Sequence, residues 1–202
     1  MFTAQRIRNL PQYIFAQIDQ DIQHLRRAGK TVINLGISDP NQAPRPEVVR
    51  ALQAGANLED SHRYPSTQGS PDLRRQVADW YRQRFGVRLD PEREVLITVG
   101  SKEALIHLSL AVVDPEGVIL VPDPGYPAYS MPHALFGMEH VRVVLDRRHG
   151  FLSSLSGVHA GTLERAQLLY ANYPNNPTGA VADRGFWRDL VEQARRWDFV
   201  IC

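Results

Sequence analysis

The sequence predicts a three-layer α/β/α domain built on a mainly parallel β-sheet and preceded by a short arm. Three observations carry that fold class. From Ser70 onward, stretches with helical apolar spacing alternate with short β-branched runs, the order that produces crossover connections and parallel strands. The octapeptide Asn172-Tyr173-Pro174-Asn175-Asn176-Pro177-Thr178-Gly179 follows an apolar run, Gln167 to Ala171, and precedes an amphipathic stretch that starts near Asp183. This is a strand, a bent loop fixed by two prolines and a glycine, and then a helix. Apolar residues at 43% and charged residues at 22% match a globular chain with a core of ordinary size.

Taken in order, Pro11 to Ala28 is expected to be a helix with Ile14, Ile18, Ile22 and Leu25 on one face and Gly29 as its stop. Val32 to Leu35 reads as a short strand and Gly36 to Pro40 as a turn-rich loop, after which Pro46 opens a helix carrying Val49 and Leu52. His62 to Gly69 is a second loop. Ser70-Pro71 then supplies an N-cap and a first-turn proline for a helix that displays Leu73, Val77, Trp80 and Tyr81 and ends at Gly86. Val95 to Val99, Val118 to Val121 and His140 to Leu145 are strand candidates, and the run beginning at Phe199 is another. Residues 146–161 carry no regular pattern, and His149 and His159 are given no role.

Net charge of +1 offers nothing to a nucleic acid or an anionic membrane, and no apolar run approaches spanning length. The single cysteine, Cys202, excludes an internal disulfide and fits a reducing compartment, so a cytoplasmic location is expected. Lysine occurs only as Lys30 and Lys102.

Two stretches suggest chemistry. Gly100-Ser101-Lys102-Glu103 joins a strand to a helix, placing backbone N–H groups and the positive end of the helix dipole where a phosphate can sit. It is not a Walker A loop, because no glycine stands five residues before Gly100, and not a dinucleotide fingerprint, because no Gly-x-Gly occurs in the chain. Pro122-Asp123-Pro124-Gly125-Tyr126-Pro127-Ala128-Tyr129 presents a proline-pinned aromatic at a strand end, where a ring face can meet a flat ligand.

Together with the octapeptide and Leu35-Gly36-Ile37-Ser38-Asp39-Pro40, these segments resemble the class I/II aminotransferases, which are fold type I enzymes dependent on pyridoxal 5′-phosphate. The combination is similar to the subgroup containing LL-diaminopimelate aminotransferase. The resemblance implies an N-terminal arm and small-domain segment over 1–45, and the incomplete N-terminal part of the cofactor-binding large domain over 46–202. It implies transfer of an amino group between an amino acid and a 2-oxo acid, and a homodimer. Ser101 and the Lys102 backbone would hold the cofactor phosphate, Tyr126 would stack on the ring, and Asn176 would bond the ring's phenolic oxygen. Tyr64 would reach the phosphate of the neighbouring subunit, although a loop tyrosine taken alone is more often a packing residue. Tyr13 and Ser38 are the expected substrate contacts. Tyr13 is equally an aromatic anchor for its helix, and the family often has glycine where Ser38 stands.

The resemblance puts the lysine that forms the Schiff base, and the acidic partner of the ring nitrogen, beyond Cys202. Lys30 and Lys102 stand at other positions, so the chain is expected to be the N-terminal part of a longer protein and inactive alone. Two alternatives stay open: a carbon–sulfur lyase of the same fold, and a non-catalytic module such as the sensing domain of a transcription regulator. The latter needs a basic domain upstream, for which Met1 is expected to leave no room.

Overall fold

Residues 2–8, 10, 14–36 and 40–202 are described in the computed structural model, apart from the side chain of Ile14. The elements in chain order are α1 (Gln5–Arg8), α2 (Ile14–Arg27), α3 (Pro46–Ala56), α4 (Pro71–Phe85), α5 (Ser101–Val112), β1 (Val118–Asp123), α6 (Met131–Phe136), β2 (Glu139–Val144), α7 (Ala160–Leu163), β3 (Ala166–Leu169), α8 (Arg184–Trp197) and β4 (Val200–Ile201). They fall into two compact units, one made of residues 1–11 and 99–202 and the other of residues 12–98. The domain boundary expected from the resemblance lies elsewhere in the sequence, between 45 and 46.

The first unit holds the sheet. Its four strands lie in the order β2-β1-β3-β4 and every pairing is parallel. β1 and β2 pair over their full length, from Val118 opposite Glu139 to Asp123 opposite Val144. Side chains alternate between the two faces of a strand, and β1 buries both sets. Val118 and Leu120 join Val143, Leu155, Leu163, Leu190 and Ala194 on one face. Ile119 and Val121 join Leu168, Tyr129 and Tyr170 on the other, under Leu105 and Leu108 of α5. Helices therefore cover the sheet on both sides, giving the three expected layers.

Local chemistry fixes the last crossover. The Asp183 carboxylate accepts from the Phe186 N–H at 2.8 Å and starts α8, whose Leu190 and Ala194 point into the core. Asp198 ends the helix in the left-handed region at φ 58° and turns the chain into β4.

In the second unit α2, α3 and α4 form where helical spacing predicts them, and Gly86 closes α4 at φ 71°. Two expected strands do not form. Neither 32–35 nor 95–99 belongs to a ladder. Ile97 N–H reaches the Gln68 carbonyl at 3.2 Å, but this contact does not make a strand. β-branched residues favour an extended backbone, yet strand formation also needs a neighbour to pair with. Among the described residues no helix is long and apolar enough to cross a membrane.

Candidate cofactor site

From β1 the chain crosses through α6 to β2 on one side, and from β3 it crosses through α8 to β4 on the other. Adjacent strands whose connections leave in opposite directions open a crevice beyond their C-terminal ends, where open α/β sheets bind ligands. The loops that flank this crevice are Pro124–Ser130 after β1 and Asn172–Gly179 after β3.

Tyr126 lies in the first of these loops. The preceding turn is so tight that a Cβ on Gly125 would come within 2.3 Å of the Pro122 carbonyl oxygen, which restricts the position to glycine. Tyr126 is half-buried. Its ring meets Tyr129 edge-on with centroids 5.6 Å apart, and Tyr129 stacks on Tyr170 at 4.5 Å. The fully buried Tyr170 hydroxyl donates to the Leu105 carbonyl at 2.7 Å and lies 2.7 Å from the Ser109 hydroxyl. Leu105 is one turn into α5, so this aromatic relay ties the start of α5 to the ends of β1 and β3. Burial pushes the pKa values of both Tyr129 and Tyr170 up, which keeps the phenols neutral and able to donate.

Ser101 and Lys102 open α5 and are exposed. Gly100 precedes them at φ 81°, and no side chain caps the helix. The Glu103 carboxylate instead reaches back to the Val99 N–H at 2.5 Å, fixing the entry to the turn. An exposed first turn with a hydroxyl at its first position, on a helix of 12 residues, is an arrangement that can accept a phosphate.

In the second loop the two central asparagines separate. Asn175 is buried, and its carbonyl oxygen accepts from the Thr178 hydroxyl at 2.8 Å and the Thr178 N–H at 3.3 Å. The Asn175 N–H donates to the Ala180 carbonyl at 2.8 Å, which closes the loop on itself. Asn176 is exposed. Its backbone N–H donates to the Asn172 side chain at 3.2 Å. Tyr173 anchors the opposite side by accepting from Ser153 N–H at 2.7 Å and packing edge-on against Phe186 and Trp187.

Ser101, Lys102, Tyr126 and Asn176 all belong to the first unit. Tyr64 belongs to the second unit, in the loop before α4, and is 97% exposed. Tyr13 and Ser38 lie outside the described residues. Sequence reasoning missed Tyr170, which it counted only as a member of the apolar run Gln167 to Ala171. A lone tyrosine among apolar residues there was the available signal, since its hydroxyl needs a buried partner.

A model of the family described as aminotransferase class I and II matches residues 30–201. LL-diaminopimelate aminotransferase of Moorella thermoacetica is 46% identical over 202 residues, which is all of this chain and 52% of that protein. The protein of the same name from Aquifex aeolicus is 36% identical over 98% of this chain and 51% of its own length. Among solved structures, apo BacF from Bacillus subtilis superposes with a TM-score of 0.93 at 32% identity, covering all of this chain and 51% of that one. Aspartate aminotransferase from Thermus thermophilus with maleate gives a TM-score of 0.88 at 27% identity, over 100% and 52% respectively. The chain spans about half the length of the curated relatives it matches.

Proposed function

The chain belongs to the class I and II aminotransferases, and from that membership we propose that it is the N-terminal part of an enzyme that moves an amino group between LL-diaminopimelate and 2-oxoglutarate. The substrate pair rests on the names of the relatives, several of which are LL-diaminopimelate aminotransferases. The observation that carries the reaction class is the match of the aminotransferase class I and II model to residues 30–201, and the switch between β1 and β3, flanked by the loops of Tyr126 and Asn176, supports it.

The family's cofactor is pyridoxal 5′-phosphate, and the residues present suit it in part. The uncapped first turn of α5 and the Ser101 hydroxyl match a phosphate dianion, with the Lys102 backbone beside them. The Tyr126 ring, held from behind by Tyr129, offers a flat face to a planar heterocycle. The exposed Asn176 offers a carboxamide donor for a phenolic oxygen. When bound, the cofactor supplies the electron sink for a carbanion at the substrate α-carbon. This chain's residues bind and orient; the lysine that attaches the cofactor and moves the α-proton has no counterpart at Lys30, next to the turn after α2, or at Lys102. Tyr13 and Ser38 are assigned to the substrate and Tyr64 to the phosphate of a second subunit, in a cytoplasmic homodimer. The arm and small-domain segment is assigned to 1–45, and the cofactor-binding part to 46–202.

The test is a single polypeptide in which residues 1–202 are followed by the remaining part of the Moorella relative. Expected is glutamate formed from LL-diaminopimelate and 2-oxoglutarate. Breakdown of sulfur amino acids without a 2-oxo acid acceptor would assign a carbon–sulfur lyase instead, and failure to bind pyridoxal phosphate would remove the reading.

A further inference from the structure

We propose that the cavity between α8 and the segment 153–163 is a binding site for a small monocarboxylate with an apolar body. The cavity measures about 510 Å³, within the range of pockets that hold small organic ligands. All of its lining belongs to the first unit. It lies on the face of the sheet that packs Val118, Leu120 and Val143, whereas Tyr126, Tyr129 and Leu105 pack on the opposite face.

The helical repeat makes this cavity amphipathic. Leu190 of α8 lines it together with Leu155 and Leu163, and all three are buried in one core cluster. Phe186 and Trp197, one turn before and two turns after Leu190, line it too and pack against the same cluster. These side chains offer an apolar body a surface to cover. Asp189, Gln193 and Arg196 follow one another at spacings of four and three residues, so they form a polar row beside the apolar one. Asp189 and Arg196 are exposed and Gln193 is half-buried. Ser154 and Ser156, also exposed, complete the polar part of the lining, with their hydroxyls 2.8 Å apart.

The charges select the ligand. Among the described residues no carboxylate pairs with Arg196, Glu192 one turn earlier included; its guanidinium lies over the Trp197 ring, 5.2 Å from the centroid. A guanidinium over a ring keeps N–H groups at its edge, and a planar carboxylate meets that edge with two parallel bonds. Gln193 and the serine hydroxyls add neutral donors. Asp189 stands two turns from Arg196, about 10 Å along the helix axis, which is about one screening length. It therefore repels an anion at Arg196 only weakly, while it disfavours one at its own end of the cavity. One guanidinium matches one negative charge, which favours a monocarboxylate over a phosphate dianion. This reading does not depend on the substrate pair proposed above.

Titration of the 202-residue chain with phenylpropanoate, read by NMR on isotope-labelled leucine methyl groups, tests the site. Leu155, Leu163 and Leu190 are expected to shift saturably with a Kd of about 1 mM or tighter, while Leu105 and Leu108 on the other face stay still. Arg196→Gln, at an exposed position, is expected to weaken binding about tenfold, and Asp189→Asn is expected to leave it no weaker. On the unaltered chain, the neutral phenylpropanamide is expected to bind about tenfold less tightly than the acid. Absence of a saturable shift at the three cavity leucines overturns the proposal. Equal affinity for acid and amide overturns it as well, since that describes an unselective apolar hollow. So does binding that Arg196→Gln leaves unchanged, and so do shifts confined to Leu105 and Leu108, which would put the ligand on the opposite face of the sheet.

Discussion

Replacing Tyr170 by phenylalanine tests whether the buried hydroxyl holds the start of α5 against the sheet. The ring is fully buried and stacked on Tyr129, so phenylalanine keeps the packing and removes only the hydroxyl. The bond lost outright is the one donated to the Leu105 carbonyl at 2.7 Å. The Ser109 hydroxyl loses its 2.7 Å partner but has the Leu105 carbonyl at 3.3 Å to turn to, so it is not left fully unsatisfied. A buried neutral hydrogen bond is worth about 1 kcal/mol net, and a partly stranded donor raises the expected loss to about 1–2 kcal/mol. Ser109→Ala leaves Tyr170 bonded to Leu105 and is expected to cost less. The pair touch, so the double variant is expected to fall short of the sum by about 0.5 kcal/mol or more. Urea unfolding followed by tryptophan fluorescence reads all three, since Trp187 and Trp197 both pack against the unit's core. A Tyr170→Phe midpoint equal to that of the parent, or strict additivity with Ser109→Ala, would refute the role given to the hydroxyl.

Ser101→Ala is expected to weaken pyridoxal phosphate binding by the chain about fivefold, as loss of one hydrogen bond to an anion does, and an unchanged titration counts against the phosphate assignment. Borohydride treatment of the chain with pyridoxal phosphate is expected to leave no specific lysine adduct; a single modified site at Lys30 or Lys102 in peptide mapping would reverse the inactive-alone reading. In the longer polypeptide, mixing a Tyr64→Phe subunit with one lacking the cofactor lysine is expected to restore activity, and hybrids without recovery would place Tyr64 in its own subunit's site. His140 is held below its ordinary value of 6.5 by burial first, then by His133 and Arg142. Its neutral form therefore suits the fold, and stability is expected to fall as pH drops through 6.5 and below. His140→Gln should flatten that slope between pH 7 and 5 in urea midpoints, and an unaltered slope would assign it to another group.

The centre of the sheet was legible because β1 and β3 are buried on both faces. β1, β2 and β3 appear as short apolar or β-branched runs, and each falls within two residues of its expected start. Segments 32–35 and 95–99 carry the same signal and were misread for one reason: composition reports a preference for extended backbone, not the presence of a neighbour. The octapeptide shows the same limit at a finer scale. Its sequence marks a fixed polar loop, but not that Asn175 turns inward to Thr178 while Asn176 faces outward. That division arises from closure of the loop through Asn175 and Ala180, a backbone event invisible in residue types.

The two units also differ in what their sequences can specify alone. In the first, the residues that bury the sheet and the residues that line the crevice are linked through Tyr129 and Tyr170, which belong to the apolar core and hold the candidate site in the same contacts. A substitution there changes stability and site geometry together. In the second, amphipathic helices form at the expected positions while their apolar sides find no interior among residues 14–98. Local patterning is enough to make a helix, but a core requires that the facing sequence be supplied as well.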